Sequence, residues 1–197
     1  MKPTKEQQKI ITYEGDLLVV KAFAGTGKTS TLISFAKNHP EKQFLYIAFN
    51  RAIRDEANEK FPKNVQCKTA HQLAYAVFGR KCRHKIKNNI SLRDISHCLN
   101  NDDYSFIRRV HKTINAFLSS SDRLILTGHV VTSEADSDAL MAHHDNVVLD
   151  REKVASAATE LWTKMQNAED PMPISHDAYL KMYQLSEPDL SIFYSWQ

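Results

Sequence analysis

Residues 17–36 read Leu17-Leu18-Val19-Val20-Lys21-Ala22-Phe23-Ala24-Gly25-Thr26-Gly27-Lys28-Thr29-Ser30-Thr31-Leu32-Ile33-Ser34-Phe35-Ala36, and this stretch decides the fold. The apolar run Leu17–Val20, half of it β-branched, predicts a strand. Apolar residues then recur at helical spacing from Thr29 until Pro40. Between the two lie Gly25 and Gly27, from a chain with only 5 glycines, which marks a backbone task that other residues resist. A second apolar run, Phe44–Phe49, is followed by a helical Ala52–Asn58 that Pro62 closes. Two strand–helix units in succession predict a parallel sheet and an α/β fold.

The loop itself, Ala22 to Thr29, has the frame of a Walker A sequence, G-x-x-x-x-G-K-[ST], with Ala22 in the place of the first glycine. In that frame the backbone of Ala24, Gly25, Thr26, Gly27 and Ser30 turns its N–H groups around a phosphate at a helix N-terminus. Lys28 reaches the β and γ oxygens of a nucleotide, and the Thr29 hydroxyl holds Mg²⁺. The alternative is an ordinary strand-to-helix turn; the strand before and the helix after argue for the phosphate loop. Upstream, Thr4-Lys5-Glu6-Gln7 precedes an apolar-periodic segment. The Gln7 amide has the donor and acceptor to pair with the N6 and N7 edge of adenine, which would select ATP. Thr4 and Gln7 also have the spacing of a capping box, which needs no ligand.

Taken together, these residues resemble the UvrD/Rep-like superfamily 1 DNA helicases, in particular the group related to the F-box DNA helicases. Gln7, 21 residues before Lys28, is similar to the family's Q motif, and the family's Ala-x-Ala-Gly-Thr-Gly-Lys-Thr form of motif I accounts for Ala22. Tyr46–Ile53 is similar to motif Ia, with Asn50-Arg51 where the commoner form has Thr-Asn-Lys, and Thr69-Ala70-His71-Gln72-Leu73 resembles the following Thr-x-His-x-Leu element, motif Ib. The resemblance implies a RecA-like P-loop NTPase core with ATP and Mg²⁺ as cofactors, Lys28 and Thr29 as catalytic residues, and single-stranded DNA running over motifs Ia and Ib. The chemistry of these residues suits that path. Phe49 offers a stacking face, while Asn50, Arg51, Thr69 and His71 offer contacts to backbone phosphates without reading sequence. Other readings exist for three of them: Phe49 as core, Arg51 as solvated surface, and Thr69 to Gln72 as a second capping box.

Past residue 80 the pattern becomes helical, over 91–99, 103–118, 150–166 and 175–186. By resemblance, residues 80–188 correspond to the helical 1B insertion, residues 1–79 to an incomplete core with motifs Q, I, Ia and Ib, and residues 189–197 to the start of an interrupted strand. The segment Arg80–Lys87 carries five Lys or Arg, a candidate contact for duplex phosphate or else a solvated face, whereas Glu134–Asp145 is acidic and loop-like. The family's next motif, a strand ending Asp-Glu-Ala-Gln, is absent from the sequence, as is the second motor domain. Lys28 and Thr29 alone are therefore expected to bind nucleotide far better than they hydrolyse it. Val147-Val148-Leu149-Asp150 has the look of a weak Walker B strand, with Asp150 as a helix N-cap the alternative. Cys82, His84, His97 and Cys98 could ligate zinc, but their spacing matches no common site. No Gly-x-Ser-x-Gly elbow points to a hydrolase of that class.

Composition sets the outer limits. The chain has 197 residues, 42% hydrophobic and 25% charged, with a net charge of +3, which fits a folded protein and permits a nucleic-acid partner. Three cysteines, Cys67, Cys82 and Cys98, give no disulfide framework and suggest a reducing compartment, the cytoplasm, or the nucleus in a eukaryote. No apolar run approaches the roughly 20 residues of a membrane span. The expectation is the ATP-binding N-terminal portion of a DNA helicase that moves on single strands. Alternatives are a module that binds ATP and single-stranded DNA without turnover, or a small P-loop kinase.

Overall fold

A computed structural model describes residues 2–131 and 144–193. Backbone contacts divide the chain into two compact units, Met1–Gln72 with Asp189–Gln197, and Leu73–Pro188. The acidic segment expected as a loop falls largely outside the described residues, and so does Tyr194–Gln197.

The first unit contains α1 (Lys5–Ile11), α2 (Lys28–Asn38), β1 (Phe44–Ala48), α3 (Arg51–Lys60) and β2 (Val65–Thr69). Side chains start two of its helices. Thr4 and Gln7 form the reciprocal capping box ahead of α1, and Asn50 Oδ1 accepts the Ile53 N–H at 2.9 Å to open α3. β1 and β2 pair in parallel, from Phe44 opposite Val65 to Ala48 opposite Thr69, with α3 as the connection. Asn64 fixes the approach to β2: its Nδ2 lies 3.0–3.1 Å from the carbonyls of Ala36, His39 and Lys42.

The parallel sheet is thus present, but built from a different pair of strands than the sequence predicts. Leu17–Val20 is not a strand. Neither β1 nor β2 pairs with it, so it has no ladder, and Leu17 and Val19 are 79% and 72% exposed. β2 escaped the sequence reading because Gln66 and Lys68 interrupt its apolar period and Thr69 looked like a helix cap. At the far end, Ser191–Phe193 forms a 3₁₀ turn where an interrupted strand was expected.

The second unit holds the large buried side chains. α4 (Ala70–Ala74), whose first three residues belong to the first unit, leads into a single π-helical turn, Tyr75–Gly79, and then come α5 (Leu92–Leu99), α6 (Tyr104–Leu118), α7 (His144–Gln166) and α8 (His176–Leu185). The four later helices match the predicted segments, except that α7 starts earlier. Ile107, Ile114, Phe117, Leu161, Met165 and Ile174 are at most 1% exposed and form its centre. Asp150 is therefore neither the end of a strand nor an N-cap. It lies within α7 and makes a bidentate pair with Arg109 of α6, both bonds 2.6 Å.

Two buried lysines serve as backbone anchors in this unit. Lys85 Nζ donates to the carbonyls of Asn167 (2.6 Å) and Asp170 (2.9 Å) just past the C-terminus of α7, where a cation suits the helix dipole. Lys181 Nζ donates to the carbonyls of Ser120 (2.9 Å) and Asp122 (2.6 Å). Burial pushes both ammonium pKa values down. No described helix is long and apolar enough to cross a membrane.

His111 gives this unit a pH dependence. Its Nε2 accepts from Asn115 Nδ2 at 3.1 Å, which requires a neutral ring, and burial holds its pKa below the ordinary value. As pH falls the unfolded chain takes the proton first, so this stabilisation is complete above about pH 6.5 and is lost as pH falls through the folded-state pKa. The expected result is a smaller loss of stability between about pH 7 and about pH 5 in His111→Gln than in the unsubstituted chain, read as urea midpoints.

Candidate functional site

The glycine loop lies between Ala22 and the start of α2. Gly25 (φ +77°) and Gly27 (φ +82°) both take left-handed backbone, which explains glycine at these two positions. A Cβ on Gly27 would also stand 3.3 Å from Gln7 Nε2. Because Gly27 is the N-cap of α2 and has no side chain, no capping oxygen covers the first-turn N–H groups, and an anion has access to them. Ala24, Thr29 and Ser30 are exposed around this end of α2.

Lys28 folds back over the loop. Its Nζ donates to the carbonyls of Phe23 (2.7 Å) and Ala22 (3.2 Å), leaving one ammonium proton outside these two bonds. Thr26 Oγ1 donates to the same Phe23 carbonyl at 2.9 Å. Gln7 then joins α1 to the loop, because its Nε2 donates to the Thr26 carbonyl at 3.1 Å while its Oε1 accepts the Thr4 N–H at 2.9 Å. The capping box and a link to the loop therefore coexist in one side chain. The amide retains one N–H and one lone pair, the complement of an adenine edge. Cavities of about 570 Å³ and about 330 Å³ adjoin this link, and Thr4, Gln7 and Thr26 line both.

The second group of predicted residues gathers where β1 and β2 end. Ala48 and Thr69 are register partners, so the residues that follow them leave the sheet at its carboxyl edge, the edge where open α/β sheets bind ligands. Phe49 is 90% exposed, which excludes the core reading. Asn50 turns its carbonyl oxygen to the α3 cap, and Arg51 is exposed on the first turn of that helix. Thr69 is only 6% exposed and exchanges bonds with Gln72, its N–H donating to Gln72 Oε1 (3.0 Å) and its hydroxyl accepting the Gln72 N–H (3.2 Å). The second capping box is real, and it occupies the Thr69 hydroxyl. His71 is half-buried on α4.

The basic segment is less available than its sequence suggests. Lys85 is buried on backbone carbonyls and Lys87 Nζ bonds Asp94 Oδ1 at 2.9 Å, while Arg80, Lys81 and Arg83 remain exposed. Lys85 is an anchor through carbonyls about 80 residues further along the chain, so the signal is structural. Among the described residues no group of three or more His, Cys, Asp or Glu could hold a metal ion, so the zinc reading fails. Sequence reasoning also missed the Gln7–Thr26 link, which joins residues far apart in the chain.

Comparisons with known proteins bear on the whole chain. The description "UvrD/REP helicase N-terminal domain" belongs to the family that matches residues 3–186. F-box DNA helicase 1 of Gallus gallus is 35% identical over 207 aligned residues, covering 97% of this chain and 20% of that protein. F-box DNA helicase protein 1 of Schizosaccharomyces pombe is 31% identical, covering 93% of this chain and 23% of that protein. The chain thus spans less than a quarter of the length of these relatives. No solved structure matches it.

Proposed function

The chain belongs to the UvrD/REP helicase N-terminal domain family, and from that premise we propose that it is the ATP-binding N-terminal portion of an ATP-dependent superfamily 1 DNA helicase that moves along single-stranded DNA. The observation that carries this reading is the glycine loop, with two left-handed glycines, an uncapped helix N-terminus and Lys28 at its mouth. In this reading residues 1–79 are the RecA-like core and residues 80–188 the 1B insertion.

A bound triphosphate would take the N–H groups of Gly25 to Ser30 and draw Lys28 Nζ off the Ala22 and Phe23 carbonyls, exchanging two neutral acceptors for charged ones. Thr29, exposed on the first turn of α2, has a hydroxyl that would help hold Mg²⁺. Gln7 would read adenine with the N–H and lone pair that its two present bonds leave over. When bound, Mg²⁺ would supply charge neutralisation to the triphosphate. Single-stranded DNA would cross the carboxyl edge of β1 and β2, with a base stacked on Phe49 and phosphates near Asn50, Arg51, Thr69 and His71. These contacts ignore base identity, as a translocating site requires.

The test of the DNA half is Phe49→Ala. Loss of one stacked base is expected to weaken oligothymidylate binding about tenfold, and the substitution removes little buried surface, so stability changes little. Fluorescence anisotropy with a labelled oligonucleotide reads the first effect and a thermal scan the second. Unchanged DNA affinity would remove Phe49 from the site.

A second reading, ATP and DNA binding without turnover, is favoured by one observation. Asp150, the carboxylate of the Walker B-like run Val147–Asp150, is committed to Arg109. Phosphoryl transfer needs a carboxylate to order metal and water. DNA-stimulated ATP hydrolysis by the purified chain separates the two readings.

A further inference from the structure

A continuous line of hydrogen bonds runs through the first unit from the start of α1 to Lys28, and Thr26 is its middle member. The Thr4 N–H donates to Gln7 Oε1 at 2.9 Å, and Gln7 Nε2 donates to the Thr26 carbonyl at 3.1 Å. The Thr26 hydroxyl donates in turn to the Phe23 carbonyl at 2.9 Å, the same acceptor that Lys28 Nζ takes at 2.7 Å. One residue thus meets the helix side of the line with its backbone and the lysine side with its side chain. The Walker A frame specifies Gly27, Lys28 and Thr29 and leaves position 26 open, so the frame itself does not call for a hydroxyl there.

The loop needs such a fixture. Thr26 stands between Gly25 and Gly27, the two left-handed glycines, and glycine loses more conformational freedom on ordering than any other residue. Ala24, Gly25 and Thr26 are all exposed, so burial does not hold them in place. The bond from the Thr26 hydroxyl to the Phe23 carbonyl closes a ring across Ala24 and Gly25, and the bond from Gln7 ties that ring to α1. A loop already ordered this way spares a ligand the cost of ordering it.

Two donors share the Phe23 carbonyl, and only one of them has a reason to leave. The Lys28 ammonium exchanges a neutral acceptor for charged oxygens when a triphosphate arrives, whereas a threonine hydroxyl gains no charge pairing by moving. Water can take the place of Lys28 on an exposed carbonyl, but a water molecule does not hold the ring closed. Gln7 depends on the same ring. Its amide is oriented by a backbone N–H at one end and the Thr26 carbonyl at the other, so a displaced carbonyl releases the side chain. Resting on the reading of residues 22–30 as the nucleotide site, we propose that Thr26 is a positioning residue for the triphosphate and for Gln7 together: its hydroxyl keeps the loop closed on the Phe23 carbonyl when Lys28 moves to the phosphates, and its carbonyl keeps the Gln7 amide in one orientation.

The experiment titrates a fluorescent Mg·ATP analogue into the full chain and its variants. Thr26→Val keeps the size and β-branching and removes only the hydroxyl, at an exposed position where the fold is not at stake. It is expected to bind about fivefold more weakly, the effect of one neutral hydrogen bond, and Thr26→Ser is expected to restore affinity to within about twofold. Gln7→Ala is expected to cost less in the Thr26→Val background than in the unsubstituted chain, because both changes open the same line of bonds. Equal affinity in Thr26→Val, a Thr26→Ser variant as weak as Thr26→Val, or losses at positions 7 and 26 that simply multiply overturns the role of Thr26 and leaves the nucleotide reading intact. No saturable binding by the unsubstituted chain, or binding that Lys28→Ala leaves unchanged, overturns both.

Discussion

Lys28→Ala is expected to weaken Mg·ATP binding about a hundredfold while leaving the fold unchanged. The ammonium now sits on two loop carbonyls, Ala22 and Phe23, at 3.2 and 2.7 Å. A triphosphate offers it charged oxygens instead, and a hydrogen bond to a charged group contributes about 1.5–3 kcal/mol. The upper end of that range is the hundredfold loss expected. The loop carbonyls are on an exposed stretch, so water replaces Lys28 there and the unfolding midpoint does not move. Lys28→Arg keeps the charge but brings a planar fork instead of a point charge, and an intermediate affinity follows. A fluorescent-nucleotide titration of the three proteins reads the series. Equal affinities would place the nucleotide elsewhere.

Phe117→Ala is expected to cost about 4 kcal/mol of stability, the largest effect of any single truncation considered. The ring is fully buried at the centre of the second unit. Trp162 meets it edge-on with centroids 5.5 Å apart, His129 does the same at 5.7 Å, and the Lys181 ammonium stands 4.4 Å from the ring centroid. Alanine removes the transfer energy of the ring, leaves a cavity among rigid helices, and takes away the aromatic face that helps a buried cation. Because Lys181 also holds the Ser120 and Asp122 carbonyls, the loss extends to the loop those residues belong to. Trp162 reports the transition directly. In a Trp196→Phe background it is the sole indole, and its fluorescence against urea gives the midpoint shift. A shift equivalent to less than about 2 kcal/mol would mean that the site collapses around the missing ring.

How much of this was legible in the sequence depends on whether the deciding contact is local. Three of the helices past residue 80 were readable because they bury one face and carry their own caps: Ser91 with Asp94, Asp103, and Ser175 all bond the first turn that follows them. The two capping boxes, Thr4 with Gln7 and Thr69 with Gln72, were likewise written in four-residue spacings. Leu17–Val20 failed because a strand is defined by its neighbour's hydrogen bonds, and apolar β-branched residues specify only the willingness to pair. β2 failed in the opposite direction, gaining a ladder from β1 that its own composition did not advertise.

The site follows the same division. Gly25, Gly27 and Lys28 are consecutive enough for their geometry to follow from sequence, whereas the bond from Gln7 to Thr26 spans two elements. The basic segment misled for the same reason. Lys85 has the sequence context of a solvated cation, and only the carbonyls at the end of α7, nearly half the chain away, make it an anchor. Asp150 gained its partner Arg109 from another helix in this way too.

The most direct measurement is a calorimetric titration of Mg·ATP into the purified chain, alone and with saturating oligothymidylate, beside Lys28→Ala. One saturable site per chain, present under both conditions and lost in the variant, is the predicted result. A flat titration, or a saturable one that Lys28→Ala leaves unchanged, would contradict the assignment of residues 22–30 as the nucleotide site.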